Sequence, residues 1–367
     1  MNSSERFRAT YEFKPVDHLY RREFYIWTEA IERWKKEGMP ADADQSRLFG
    51  FDEPGDYGIW DLGWCEAPFV PPMVEKIIEE GAEYQIIRDT AGRLVKVFKG
   101  RRHGFMPTYV KHAVANDADW ENDVAPLLCP TTPQRLEMIN GELDKAALAA
   151  KEGKFMRQFL VGGYMYLRSL VGPEGICFLF VDNPSLVHKM MQGWLNVADG
   201  VIARTQKRFE LDELFIAEDI CYNHGLLISP DMVREFLFPY YQQLLKSIRS
   251  RQKRKLYFQV DTDGNCTEAL DLYLSIGLFG MSPFEIAAGN DVVEIARKYP
   301  HLLIWGGIDK RVLAQGKDAI DGYLQRVIPF MVKRGGYIPT CDHGVPDNVS
   351  FDNYMYYRRR IMELDHA

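Results

Sequence analysis

"KLYFQVDTDGN", Lys255 to Asn265, runs from an apolar strand-like segment into two carboxylates and a glycine. Side chains alternate faces along a strand, so Gln259, Asp261 and Asp263 share one side for as long as the extended geometry persists. Five more short apolar runs end in the same way, on polar or turn residues: "RQFLVGG" from Arg157, "DELFIAED" from Asp212, "GLFGMSP" from Gly277, "HLLIWGG" from His301 and "GYIPTCDH" from Gly336. Between them lie amphipathic stretches. In the one beginning at Asn183, Leu186, Val187, Met190, Met191, Trp194, Val197, Ala198 and Val201 recur at helical spacing. Another starts with Ser229 as N-cap and Pro230 at the first helical position. Six strand candidates, each followed by helical pattern, predict an α/β chain folded as a (β/α)8 TIM barrel. The rival is an open doubly wound fold, but no strand runs into a GxGxxG or GxxxxGK[ST] loop, so the dinucleotide and P-loop readings lapse.

The first 150 residues are less regular. They predict a helix over Leu19 to Gly38, aromatic loops around "GIWDLGWCEAPFVPP", and a hairpin, "EYQIIRDTAGRLVKVF", turning near Ala91 and Gly92. This stretch reads as an N-terminal helical and hairpin extension that also holds the first barrel elements. No internal repeat or long Pro/Gly/Ser linker divides the chain, so residues 1–367 read as a single barrel domain.

Composition narrows the function classes. Hydrophobic residues at 46% and charged residues at 26% are ordinary globular usage, and 367 residues suffice for a substantial core. A net charge of -7 gives no general attraction to nucleic acid or to anionic lipid. With no signal-like apolar core near the N-terminus and no run long enough to span a bilayer, the expectation is a soluble cytoplasmic protein. The six cysteines form no CxxC pair, so neither a thiol zinc knuckle nor a disulfide framework is readable.

Barrel active sites lie at the C-terminal ends of the strands. The polar residues there are, in order, Arg168, Glu218 with Asp219, Asp261 with Asp263, Ser282 with Glu285, Asp309, and Asp342 with His343. Asp219, Glu285 and Asp309 each have a local reading as caps or loop acids, and for Asp309 capping is preferred. Together, however, several acids on one cleft repel one another unless they bind a cation, share a proton or hold a basic group. Glu218, Asp261, Asp263 and His343 form an oxygen-rich set with one imidazole, of a kind zinc or manganese accepts. Arg168, Gln259 and Glu285 are the candidate substrate contacts. A nucleophilic hydrolase is disfavoured, since Ser282 lies in no G-x-S-x-G elbow and Cys341 is only near His343 in sequence.

The blocks "YLRSLVGPE", "FVDNPSLVHKMM", "AEDICYNHGLLISPDMVREFLFPYY", "GGIDKRVLAQGKDAI" and "DHGVPDNVSFDN" resemble the uroporphyrinogen decarboxylase superfamily, which also contains cobalamin-dependent methyltransferases. The resemblance runs from about Val16 and implies the barrel. The sequence lacks the decarboxylases' RQAGRY-type motif and carries Arg168 in place of the family tyrosine, while His343 matches their LGHG histidine. In the methyltransferase branch an HxCGN block supplies zinc ligands. "DTDGN" lines up with it, placing Asp261 at the histidine, Asp263 at the cysteine and His343 near the later cysteine.

The resemblance thus implies a corrinoid-linked methyltransferase or demethylase component. It would move a methyl group from a small methoxy or methylamine donor to cobalamin on a separate corrinoid protein, since no D-x-H-x-x-G run occurs here. Asp261, Asp263, His343 and Glu218 would hold zinc or manganese, with Glu218, Asp263 and His343 as the catalytic groups. If no metal binds, a carboxyl with a raised pKa, such as Asp263 or Glu218, would protonate the leaving oxygen. The alternative is decarboxylation of a tetrapyrrole or another acid; a barrel that only binds a ligand ranks third. Trp27, Trp34, Trp60 and Trp64 are candidates to cover the mouth and stack on an aromatic substrate. A homodimer is left open.

Overall fold

The computed structural model describes residues 1–99 and 107–366. All six apolar runs form strands, and a seventh precedes them: β1 (Asp56–Leu62), β2 (Phe155–Val161), β3 (Glu213–Ala217), β4 (Tyr257–Asp261), β5 (Gly280–Ser282), β6 (Leu303–Trp305) and β7 (Tyr337–Ile338). They pair in chain order, each parallel to the next, in one sheet wound as a (β/α)8-type barrel. Outward-facing Met156, Leu160, Leu214, Ile216, Phe258 and Val260 are buried against the surrounding helices.

Between β7 and β1 runs an extended segment, Arg22 to Ile26. Ile26 bridges Val345 in parallel, and the Glu23 carboxylate accepts the Cys341 N–H at 2.5 Å. The Arg22 guanidinium donates to Asp56 of β1 at 3.1 Å. These bonds correct the expected helix over Leu19–Gly38, of which only Thr28–Lys36 is helical. Residues before it meet their backbone needs at the barrel edge, and tertiary hydrogen bonding overrides helical propensity there.

The aromatic loops expected around "GIWDLGWCEAPFVPP" are corrected in part, because Gly58 to Leu62 belong to β1. Its inward face carries Asp56, Gly58 and Trp60, a polar, glycine-containing pattern unlike the apolar runs of the other strands. Gly58 is required by close approach, since a Cβ there would strike the Phe159 ring. The hairpin forms from Tyr84–Arg88 and Leu94–Phe98, inside a four-stranded antiparallel sheet separate from the barrel.

The helix Ser3–Tyr11 plugs the N-terminal end of the lumen. Phe7 meets Tyr20, Phe155 and Trp305 at ring-centroid distances of 4.8, 5.1 and 6.0 Å, and Arg8 pairs at 2.5 Å with Asp212, just before β3. Among the described residues no helix is long and apolar enough to cross a membrane. Phe7→Ala removes a fully buried ring and is expected to destabilise the protein by about 3–5 kcal/mol, read from the shift in urea unfolding free energy.

Candidate active site

The end of β4 is fixed to both neighbours. The Asp261 carbonyl accepts the N–H groups of Glu218 and Asp219 at 2.8 and 3.2 Å, and the Thr262 N–H donates to the Ser282 carbonyl at 2.9 Å. Thr262 Oγ1 accepts the N–H groups of Ile220 and Cys221 at 3.1 Å each. Beyond the strand, the Gly264 N–H donates to Glu285 at 3.0 Å and its carbonyl accepts from Asn290 at 2.8 Å. Gly264 has φ +76° and lies against the Tyr222 backbone, so no other residue fits there without strain. This turn delivers Asp263 to the barrel rim.

Asp261 and Asp263 line one cavity of about 460 Å³ at the C-terminal mouth, together with Asp219, His343 and Tyr25. Its walls are aromatic. Trp60 stacks on Phe159 at 3.7 Å with the planes 6° apart, and Trp64 stacks on Phe215 at 5.5 Å. Its deep end is formed by Arg22, Arg157 and Trp305.

Burial, chiefly, and then the nearby Asp263 and Asp219 push the Asp261 carboxyl up to about 8, although the Ser282 hydroxyl donates to it at 2.6 Å and opposes the shift. Asp263 is pushed up to about 6, again mainly by burial, with His343 pulling the other way. His343 Nε2 lies 3.6 Å from Asp263, and its Nδ1 is 2.9 Å from the Tyr25 hydroxyl. Asp219, at φ +42°, adopts a left-handed conformation uncommon for a non-glycine residue and pairs with Arg168 at 2.5 Å.

Below this layer lies a buried ion cluster. Arg157 donates through Nε to Glu213 and through Nη1 to Asp56 at 3.0 Å, while the Tyr11 hydroxyl donates to Glu213 at 2.7 Å. The aromatic wall residue Phe215 and the neighbouring Phe159 cover the Arg157 guanidinium at 4.8 and 4.7 Å.

The expected site residues therefore separate. Asp261, Asp263 and His343 reach the cavity wall. Arg168 reaches it only through Asp219. Gln259 sits deeper, between Tyr11 and Ser282, and Glu285 is held by Lys310 at 2.9 Å. Asp309 caps the helix Lys310–Gln315 by accepting the Arg311 N–H at 2.9 Å. Trp60 and Trp64 are walls, Trp27 is exposed, and Trp34 is buried against Tyr354.

Glu218 needs correction as a ligand. Its carboxylate turns away from the cavity, accepting the Tyr164 N–H at 2.9 Å and the Tyr241 hydroxyl, which in turn accepts the Gly163 N–H at 2.5 Å. It braces the start of the helix Gly163–Val171, where unpaired N–H groups and the helix dipole favour an acceptor. Among the described residues no three His, Cys, Asp or Glu side chains gather in metal-holding geometry, so the four expected zinc or manganese ligands do not fit one cage as placed. Asp261 is engaged with Ser282 instead.

Sequence reading missed Arg22, Tyr25, Arg157, Phe159 and Phe215. One signal was available: in "FMRQFLV" the arginine shares strand parity with Phe155 and Phe159, placing a charge on an otherwise aromatic inward face.

Residues 145–363, more than half of the chain, match the uroporphyrinogen decarboxylase (URO-D) family. The chain belongs to that family. No curated protein matches this URO-D chain. Among solved structures, a methyltransferase from Methanosarcina mazei is similar over 99% of each chain at 14% identity and a TM-score of 0.61, which supports the URO-D barrel as a fold. Xylanase B from Clostridium stercorarium F9 aligns over 56% of this chain and 72% of its own, at 12% identity and a TM-score of 0.34.

Burial holds the Glu218 carboxyl at about 7, above its ordinary 4.5, so its folded pKa is raised. Its contribution to stability is complete below about 4.5 and is lost as pH rises through about 7. Thermal unfolding at a series of pH values is expected to show this loss in the wild-type URO-D protein, with the part due to Glu218 missing in Glu218→Gln.

Proposed function

We propose that this URO-D protein is a methyltransferase that takes a methyl group from a small, neutral methoxy compound and passes it to a reduced corrinoid carried by a second protein. The observation that carries the reading is a carboxyl group kept protonated near neutral pH, Asp261, on the wall of an aromatic cavity at the barrel mouth. The fold likeness to a methyltransferase along the whole chain supports the same class.

In the proposed step a reduced corrinoid on the second protein would supply the nucleophile that receives the methyl group. The C–O bond breaks with its electron pair left on oxygen, and Asp261 delivers a proton there, leaving its own carboxylate. An unactivated alkoxide or phenoxide leaves poorly, so this proton is the largest contribution the chain's residues make. Ser282 orients the carboxyl through its hydrogen bond. At the rim His343 lies 3.6 Å from Asp263 and is hydrogen-bonded to the Tyr25 hydroxyl at 2.9 Å, so titratable groups stand near the mouth to return a proton from solvent afterwards. The aromatic walls exclude water and hold a flat substrate.

Decarboxylation is the second reading, favoured by the family's name and by Arg22 and Arg157 in the cavity. Both guanidiniums are already matched by Asp56 and Glu213, and Asp219 and Asp263 at the rim oppose a polycarboxylate.

Methyl transfer from methoxy donors to Co(I)-cobalamin, followed by the corrinoid's absorbance, tests the proposal. Asp261→Asn is expected to lower the rate by about 100-fold or more with binding retained, and the wild-type rate is expected to fall as pH rises through about 8. An unchanged rate in Asp261→Asn would remove the proton-donor role. Elemental analysis gives an independent check: about one zinc or manganese per chain in the wild type, lost in Asp261→Ala/Asp263→Ala, would replace carboxyl donation by Lewis-acid assistance.

A further inference from the structure

The deep end of the cavity has unmet hydrogen-bonding capacity. Arg157 uses Nε and Nη1 on Glu213 and Asp56, but its Nη2 is buried with no partner among the described residues. Trp305 Nε1 is likewise buried without one. Both side chains line the cavity, each only 2% exposed, and the Arg157 guanidinium lies 4.7 Å from the Trp305 ring centroid. Buried donors in folded proteins are nearly always satisfied, and of the unpartnered buried donors among the described residues these two belong to side chains that line this cavity, where an acceptor can arrive from outside.

Charge limits what that acceptor is. Two guanidiniums, Arg22 and Arg157, face two carboxylates, Asp56 and Glu213. The cluster is balanced and has no call for an anion. At the entrance Asp219 and Asp263 disfavour one further. Between entrance and floor the walls are the stacked pairs Trp60 with Phe159 and Trp64 with Phe215, which suit a flat ring.

Geometry sets the orientation. A methyl group passed to a corrinoid on another protein must face the mouth, so the floor receives the opposite end of the substrate. Resting on the methyl-transfer reading above, we infer that the substrate is a neutral aryl methyl ether carrying a second oxygen acceptor, such as a carbonyl, across the ring from the methoxy group, with Arg157 Nη2 and Trp305 Nε1 as the donors that select it.

Calorimetric binding to the whole protein, without corrinoid, tests this separately from methyl transfer. The probes are 4-methoxyacetophenone, 4-isopropylanisole, which keeps the shape without the far oxygen, and anionic 4-methoxybenzoate. The wild type is expected to prefer the ketone over the hydrocarbon analogue by about tenfold, the worth of one to two buried hydrogen bonds. Trp305→Phe, which keeps a ring but removes the donor, is expected to shrink that preference severalfold. Unchanged circular dichroism of Trp305→Phe separates loss of the donor from a folding defect, and the wild-type comparison of the two neutral probes needs no variant. Equal wild-type affinity for the two neutral probes, tighter binding of 4-methoxybenzoate, or a crystal structure with a water held between Arg157 and Trp305 beneath the bound ketone would overturn the inference. Selective ketone binding with no methyl transfer would instead count against the proposed function alone.

Discussion

The Arg157 guanidinium in the barrel lumen is the interaction on which the rest of the architecture depends. It stands on β2, bonds Glu213 on β3 and Asp56 on β1, and through Asp56 is linked to Arg22 of the segment that joins β7 to β1. Tyr11 adds the plug helix to the same cluster through Glu213. Desolvating such charges is expensive, and an ion cluster of this kind is weak evidence for net stability. What it supplies is registration, since a one-step slip of β2 would bury Arg157 among the apolar helices outside the barrel with no carboxylate to meet it.

The same layer separates two chemical environments. Beneath it the lumen is packed with aromatic side chains from the plug helix and the strand starts. Above it the side chains are aromatic at the walls and acidic at the rim. Carboxyl groups above the cluster sit in a poorly solvated cavity whose fixed positive charges are already matched. That is why Asp261 favours its neutral form even though arginines lie within the same barrel.

Much of the fold was legible because strands buried on both faces are near-continuous apolar runs, and six of them stand out between amphipathic helices. β1 was hidden because its inward positions are Asp56, Gly58 and Trp60, which serve the cluster, a close approach and the cavity wall in turn. The extended segment Arg22 to Ile26 was hidden for a different reason: the partners of Glu23 and Ile26 lie more than 300 residues away, and no local pattern reports them. At the site, strand-end position placed Asp261, Asp263 and His343 near the mouth. It could not tell which way Glu218 turns, because the next residue, Asp219, takes a left-handed conformation and sends the two acids to opposite surroundings. The aromatic walls and the deep donors depend on side-chain parity across several strands and emerge only when the barrel is assembled.

The edge segment also sets an order of events for the growing chain. Glu23 waits for the Cys341 N–H, Ile26 for Val345, the Trp34 indole for the Val349 carbonyl, and Arg21 for Asp365. During synthesis the amino-terminal residues therefore spend most of translation without their final partners, with Phe24 and neighbouring aromatic groups exposed to other chains. Contacts of such long sequence separation form slowly and late. For this protein the vulnerable species is a ribosome-bound chain with six strands in place and an open seam, the stage at which a chaperone has most to protect.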